Sequence, residues 1–106
     1  MNISITARGG KAPDRLKKYV TDKLARKERL YEGVIDVEIT FSYEKQTQIA
    51  EVKMKLSNNL IIAREKSEEI YKSIDLVLDN CERQIKRVKE RQREHTRDKI
   101  NDKIAV

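Results

Sequence analysis

The side chains of this chain with the clearest chemical potential are lysines and arginines at helical spacing in two separate segments. They are Lys23, Arg26, Lys27, Arg29, Arg83, Lys86, Arg87 and Lys89. Residues three or four positions apart share one face of a helix, so each segment presents several cations together. Such a surface can follow a phosphate backbone without reading base sequence. For either segment alone a solvated helix face is favoured, but both together, in a chain of net charge +6, indicate a binding surface.

The sequence offers little for catalysis or for holding a metal. It has no glycine-rich phosphate loop, no pair of histidines or cysteines at metal-ligand spacing and no candidate triad. His95 is the only histidine, and Cys81, the only cysteine, falls on an apolar stripe where it is expected to be a small buried hydrophobe. We therefore predict a protein that is not an enzyme, with no catalytic residues, metal, cofactor or small-molecule substrate.

Composition limits the architecture and the partner. A chain of 106 residues is one small domain, and 38% hydrophobic against 40% charged residues indicates a thin, one-sided core. The net charge of +6 indicates a polyanionic partner, a nucleic acid before an anionic membrane surface. The N-terminus carries no basic and apolar leader, and no apolar run approaches membrane-spanning length. We therefore expect a cytoplasmic protein with no membrane partner.

The second basic segment must be positioned by a long helix, predicted from Ser67 to about Arg93. Ser67 is a suitable N-cap, with Glu68 and Glu69 in the first turn. Its apolar stripe contains Ile70, Ile74, Val77, Leu78, Cys81, Ile85 and Val88. The first half is expected to pack on the core, and the second half to carry the basic surface.

The first basic segment is predicted to lie on a helix that begins near Pro13 and continues to Gly33. Its apolar face contains Leu16, Tyr19, Val20, Leu24, Leu30 and Tyr31. Lys23 and Lys27 fall near the middle of this apolar arc. One interpretation is that the two lysines lie at the end of the sheet and their side chains extend past it to water. The other is that the C-terminal half of the helix overhangs the core as a basic ledge, and the two interpretations are compatible. Along the neighbouring flank runs a further basic band of Arg15, Lys18, Arg26 and Arg29.

Four strands complete the predicted fold. Residues 2–7, 34–43 and 50–56 alternate between apolar and polar, and residues 60–64 are predicted to form the fourth strand. A polar connection lies at residues 44–48. In the second strand the predicted inner face is Ile35, Val37, Ile39, Phe41 and Tyr43, and in the fourth it is Ile61 and Ala63. The order β-α-β-β-β-α predicts an α+β two-layer sandwich, a four-stranded sheet with both helices on one face and the other face wet.

The chain resembles the ribosome hibernation promoting factors and ribosome-associated inhibitors. The resemblance covers residues 1–93 and rests on motifs at matching spacing. They are Asn2-Ile-Ser-Ile-Thr, Val20-Thr-Asp-Lys-Leu-Ala-Arg-Lys-Glu-Arg, the strand-turn-strand around Glu44-Lys45, Ile70-Tyr-Lys-Ser-Ile-Asp and Glu82-Arg-Gln-Ile-Lys-Arg. The family fold that this implies is the β-α-β-β-β-α arrangement given above.

The resemblance also implies a function. Members bind the small ribosomal subunit between head and body, alone or in the assembled 70S ribosome, contact 16S rRNA and neighbouring ribosomal proteins, and block mRNA and tRNA sites during starvation or stationary phase. The implied rRNA-contacting bases are Lys23, Arg26, Arg29, Arg83 and Arg87, with Lys86 and Lys89 alongside. Asn80 stands where relatives often carry lysine, so the resemblance does not carry the rRNA contact over to this position. Lys27 stands where they often carry leucine and is expected to add a contact in exchange.

This interpretation predicts that residues 1–93 form the ribosome-binding domain and that residues 94–106 form a basic tail that is frayed or disordered. Two other functions remain open. One is a free-standing module that binds double-stranded RNA by shape, and the other is an interaction module whose exposed final helix pairs with a partner helix.

Overall fold

The computed structural model describes the backbone of residues 1–105 and the side chains of residues 1–92. The elements in chain order are β1 (Asn2–Ala7), α1 (Asp14–Ala25), β2 (Val34–Glu44), β3 (Thr47–Leu56), β4 (Leu60–Ser67) and α2 (Ile70–Ala105). The predicted order β-α-β-β-β-α is confirmed. The predicted tail at residues 94–106 lies outside the described side chains, so that division of the chain stays a prediction.

The strands form one mixed sheet in the order β1-β2-β3-β4. Strand β1 pairs parallel with β2, while β2–β3 and β3–β4 pair antiparallel. A parallel pair needs a crossover connection, which α1 supplies between β1 and β2. Residues from both helices and from alternate strand positions share one core that includes Val20, Ile39, Val52 and Ile74. Both helices therefore cover the same face, as predicted, with Ile61 and Ala63 inward.

The inner face of β2 differs from the prediction at both ends. The register with β3 shifts between Val34 and Asp36, so Val34 is buried and Ile35 is 45% exposed. An irregularity of this kind changes which side of the strand each side chain occupies, and simple alternation cannot show it. At the other end Tyr43 is 72% exposed. The predicted burial of Ile35 and Tyr43 is therefore wrong, while that of Val37, Ile39 and Phe41 is confirmed.

Helix α1 ends at Ala25, well before the predicted stop at Gly33. Residues 26–33 form a series of turns, in which Lys27 donates from its backbone nitrogen to Leu24 and Tyr31 to Lys27. A continued helix would place Lys27 and Glu28 three and four residues after the buried Leu24, on the core side. The turns instead leave both residues exposed while Tyr31 is buried.

The start of α2 is also later than predicted. The helix begins at Ile70, so Ser67 is the last residue of β4, and Glu68 and Glu69 precede the first turn. The Ser67 hydroxyl still accepts a hydrogen bond from the Glu69 backbone nitrogen at 3.2 Å. Ser73, fully buried, donates to the Gln48 carbonyl oxygen at 2.7 Å. This bond ties the first turn of α2 to β3, because a buried hydroxyl needs a partner.

The connection between β2 and β3 is shorter than predicted. Both strands continue into the predicted polar segment, which leaves only Lys45 and Gln46 as the turn. Lys45 has a φ of 56°, in the left-handed region that two-residue hairpins require and that non-glycine residues seldom adopt. The polar sequence of this segment therefore reflects exposure and not the absence of strand.

Candidate nucleic-acid interface

Helix α1, which carries Lys23 and leads into the turns with Arg26, Lys27 and Arg29, runs beside α2 in the same direction. Tyr19 and Lys23 of α1 both contact Asp75, and Lys27, further along the chain, contacts Glu82 further along α2. The Tyr19 hydroxyl donates to Asp75 Oδ1 at 2.6 Å, and the Lys27 ammonium lies 2.9 Å from Glu82 Oε2. These contacts join α1 and the turns after it to α2 along one seam, which consists of Tyr19, Lys23, Lys27, Asp75 and Glu82.

The pKa values of the seam residues reflect this pairing. Burial alone would raise the pKa of Asp75, but hydrogen bonds from Lys23 and Tyr19 outweigh it and lower that pKa. The pKa of Glu82 is lowered chiefly by the hydrogen bond from Lys27. Burial opposes a charged Lys23, yet the hydrogen bond and charge of Asp75 raise its pKa. All three groups are therefore held in their charged forms at neutral pH.

Lys89 is engaged with the backbone of the segment after α1. Its ammonium donates to the carbonyl oxygens of Arg29 and Leu30, both at 2.9 Å. Lys86 lies 3.5 Å from Glu82 and is otherwise open, with 62% of its side chain exposed. Three of the predicted contact residues, Lys23, Lys27 and Lys89, thus hold the turns at residues 26–33 and α1 against α2.

The four predicted arginines are placed differently. Arg26 and Arg29 lie on the turns after α1, and Arg83 and Arg87 lie on α2. All four are exposed, and none forms an ion pair or side-chain hydrogen bond with any residue whose side chain is described. A guanidinium group always carries its charge and matches two phosphate oxygens at once. These arginines are the cations most available to an external polyanion.

The basic residues of α2 spread over its exposed side and do not all face α1. Lys86 and Lys89 share the flank of Glu82, which contacts Lys27. Gln84 marks the opposite flank, since its amide donates to the Ile62 carbonyl oxygen of β4 at 3.0 Å. At about 100° per residue, Arg87 lies toward the Gln84 flank and Arg83 on the solvent side between the flanks. The arrangement is a convex basic surface across α2, beside the cations of residues 26–29.

Sequence reasoning missed the acidic partners of this surface. Asp75 and Glu82 stand seven residues apart on one helix face, as two consecutive contacts along a neighbouring helix do, and this spacing is the signal that could have identified them. Tyr19 had been assigned only to the apolar face, yet its ring also packs edge-on against Tyr71 at 4.9 Å between centroids. Asn80, where the resemblance implied a lost rRNA contact, accepts a hydrogen bond from Gln84 at 2.9 Å.

The remaining chemical candidates are accounted for. Cys81 is fully buried as predicted, and burial raises the pKa of its thiol to about 12. Within the described part of the chain no cluster of histidine, cysteine and acidic residues can hold a metal ion. No helix among those residues has the length and apolar content to cross a lipid bilayer. His95 lies outside the described side chains.

Comparisons with known proteins agree with this fold. The chain is 31% identical over 92 residues to a ribosome hibernation promoting factor of Azotobacter vinelandii, covering 87% of this chain and 86% of that protein. It is 29% identical to the Pseudomonas putida factor of the same name, covering 87% and 90%. A ribosomal subunit interface protein from Coxiella burnetii superposes with a TM-score of 0.80 at 27% identity, over 85% of this chain and 99% of that one.

A second solved structure, the N-terminal domain of Thermus thermophilus Protein Y, gives a TM-score of 0.74 at 30% identity, over 83% of this chain and 99% of that chain. The model of one protein family, described as Sigma 54 modulation protein / S30EA ribosomal protein, matches residues 3–93. The family comprises ribosome-associated proteins that are not enzymes, in agreement with the non-enzymatic protein predicted. The chain belongs to the Sigma 54 modulation protein / S30EA ribosomal protein family.

Proposed function

We propose that this protein is a ribosome hibernation factor that binds the small subunit between head and body. There it occupies the mRNA and tRNA sites and holds ribosomes inactive during starvation or stationary phase. Its partners are 16S rRNA with the neighbouring ribosomal proteins, in the free small subunit or the assembled ribosome, and it acts in the cytoplasm. The mechanism is occlusion, so the protein needs only a stable surface that matches rRNA.

The observation that carries this proposal is the group of four exposed arginines without partners among the described side chains. Arg26 and Arg29 lie on the turns after α1, Arg83 and Arg87 lie on α2, and direct contacts join these two parts of the chain. Phosphate contacts from such a surface fix the orientation of a protein on folded RNA. The similarity to proteins named for ribosome hibernation and for the subunit interface supports rRNA as the polyanion.

The eight predicted contact residues divide into two roles in this proposal. Arg26, Arg29, Arg83 and Arg87, with Lys86, contact phosphates. Lys23, Lys27 and Lys89 hold these cations in place through Asp75, Glu82 and the carbonyl oxygens of Arg29 and Leu30. Binding therefore needs no rearrangement of the seam, because the ion pairs between the helices stay closed. We place this function in residues 1–93.

Cosedimentation tests the proposal against its alternatives. The protein is mixed with purified small subunits, large subunits, assembled ribosomes and a long RNA duplex at equal RNA mass. Hibernation factor activity predicts association with small subunits and assembled ribosomes together with inhibition of translation in an extract. Comparable binding to any duplex favours the double-stranded RNA module. Binding to none of these RNAs favours the module that pairs with a partner helix.

A further inference from the structure

A cleft of about 270 Å³ lies at the opposite end of α1 from the arginine surface. It opens between the end of β1, the start of α1 and the start of α2, and its lining is mostly apolar, with Pro13, Leu16, Phe41 and Ile70 among the contributors. Tyr43, a residue that is 72% exposed, borders it. The volume is below the roughly 300–1,000 Å³ of a drug-sized pocket, so the cleft suits one ring system.

Two arginines border this cleft and no acidic residue lines it. Arg8 and Arg15 are exposed and form no ion pair with any described side chain. The larger concavity beside the β2–β3 turn lacks this character, since Glu44 and Glu65 line it together with Lys45. Arg8 also lines a neighbouring concavity that holds Glu38 and Glu51, whereas Arg15 lines only the cleft at Tyr43 among these concavities. The cleft at Tyr43 therefore combines an apolar floor, an exposed tyrosine and the positive charge of Arg15.

We propose that this cleft binds one unstacked base of single-stranded RNA. The base stacks on Tyr43 and packs on the apolar floor, while Arg8 and Arg15 contact the flanking phosphates. Unpaired bases in RNA are recognised by stacking on aromatic rings and guanidinium planes, whereas bases in a duplex stay stacked and do not enter such a cleft. The proposal rests on the proposed binding to rRNA and adds a contact to an exposed loop or single strand.

A route for the RNA backbone leads from this cleft to the arginine surface. Arg15 lines the cleft, Lys18 lies one helical turn further along the exposed side of α1, and Arg26 follows at the end of the helix. These residues belong to the basic band that the first helix was predicted to carry. The axial distance from Arg15 to Arg26 is about 16 Å at the rise of an α-helix. Asp22 is the one acidic residue in this band, so phosphates are expected on either side of it.

The test is binding of the intact protein to a fluorescein-labelled six-nucleotide single-stranded RNA, with a duplex of the same length for comparison. Tyr43→Ala is compared with Tyr43→Phe, which keeps the ring, and with Leu60→Ala, which removes an exposed apolar side chain from the outer sheet face. We expect Tyr43→Ala to weaken single-strand binding by about tenfold or more, because stacking on one base is of that magnitude. The two controls stay within about twofold, and the slope of affinity against salt is unchanged for all three. In a Tyr43→Trp variant the single strand quenches the indole emission and the duplex does not.

Two results would overturn this proposal. One is wild-type affinity of Tyr43→Ala for the single strand; the other is loss of binding only on Arg15→Glu, which would mean that charge alone acts. Small-subunit cosedimentation of the same variants separates this inference from the proposed function. One outcome is that Tyr43→Ala still binds small subunits, that Arg83→Glu with Arg87→Glu does not, and that the single strand does not quench Tyr43→Trp. This outcome refutes the base site and supports the hibernation function. Quenching of Tyr43→Trp by the single strand, in a protein that does not bind small subunits, refutes the hibernation function and supports the base site.

Discussion

The ammonium group of Lys89 donates a hydrogen bond to the carbonyl oxygen of Arg29 at 2.9 Å, although the two residues are 60 positions apart in the sequence. Lys89 thereby caps the turns that carry Arg26 and Arg29, where backbone carbonyls lack helical partners after α1 ends at Ala25. A lysine that looked like a phosphate contact in the sequence is committed to the protein backbone. Its effect on RNA binding is then exerted through the arginines that it positions.

Lys89→Met tests this positioning role. The variant keeps the aliphatic side chain but frees the carbonyl oxygens of Arg29 and Leu30, so residues 26–33 should exchange backbone hydrogens faster and ribosome affinity should fall several-fold. The log–log slope of affinity against salt should not change, because no phosphate contact is lost. Arg87→Gln is the matched comparison and should reduce that slope by about 0.7–0.9. An equal reduction with Lys89→Met would make Lys89 a direct phosphate contact.

Asp75→Asn should make the free energy of unfolding less sensitive to a fall in pH. The folded-state pKa of Asp75 lies below 3.8, so its charge stabilises the fold above the unfolded pKa, and the contribution disappears as pH falls through the folded value. The Asp75 side chain is 43% exposed, so the variant should lose no more than about 1 kcal/mol at pH 7. Urea unfolding at pH 7 and at about pH 3 measures the difference, which should shrink at the lower pH.

The control for this experiment is Asp79→Asn, an exposed acid on the same helix that has no ion pair with any described side chain. It should change stability less than Asp75→Asn at pH 7. A stability difference between wild type and Asp75→Asn that stays the same at both pH values would contradict the pairing of Asp75 with Lys23 and Tyr19.

Ile74→Ala tests the two-layer packing. Ile74 is 1% exposed and lies in the shared core, so its truncation should lower the free energy of unfolding by roughly 2–5 kcal/mol. Leu76→Ala, two residues along the same helix at a position 37% exposed, should cost much less because less apolar area is lost. Equal effects in denaturant titrations would mean that α2 does not turn the Ile74 face toward the sheet.

The thiol of Cys81 should be inert in the folded protein. It is fully buried and its pKa is raised to about 12 by burial, so little of the reactive thiolate form exists at pH 8. Iodoacetamide should leave the native protein unmodified for hours and label it within minutes in guanidinium chloride, as mass spectrometry can follow. Rapid labelling of the native state would show that the α2 side of the core opens readily.

The sequence predicted the elements and the sheet well because periodicity reports burial. Strands with one buried face alternate strictly, as at Val37, Ile39 and Phe41, and the apolar stripe of α2 marks its core contacts. The errors arose where tertiary contacts override local pattern. A register shift turned Ile35 outward, and the packing of Tyr31 favoured turns in a segment with no local helix breaker before Gly33.

The candidate site was predictable in residue type but not in role. Net charge and helical spacing identify all eight basic residues, whereas only the position of α1 beside α2 shows that Lys23 meets Asp75 and that Lys27 meets Glu82. Such pairs join residues more than 50 positions apart, and no local pattern reports them. The cleft at Tyr43 was missed for the same reason, because its lining comes from five separate elements and turns.

The most direct test of the account is ribosome binding by paired charge reversals. Arg26→Glu with Arg29→Glu, and Arg83→Glu with Arg87→Glu, should each abolish cosedimentation with small subunits and relieve translation inhibition. Surface changes of this kind usually alter stability by no more than about 0.5 kcal/mol, so the melting temperature should stay close to that of wild type. Lys53→Glu with Lys55→Glu, on the outer face of the sheet, is the control and should retain binding. Loss of binding in the control as severe as in the arginine pairs would place the binding surface on the sheet and contradict the account.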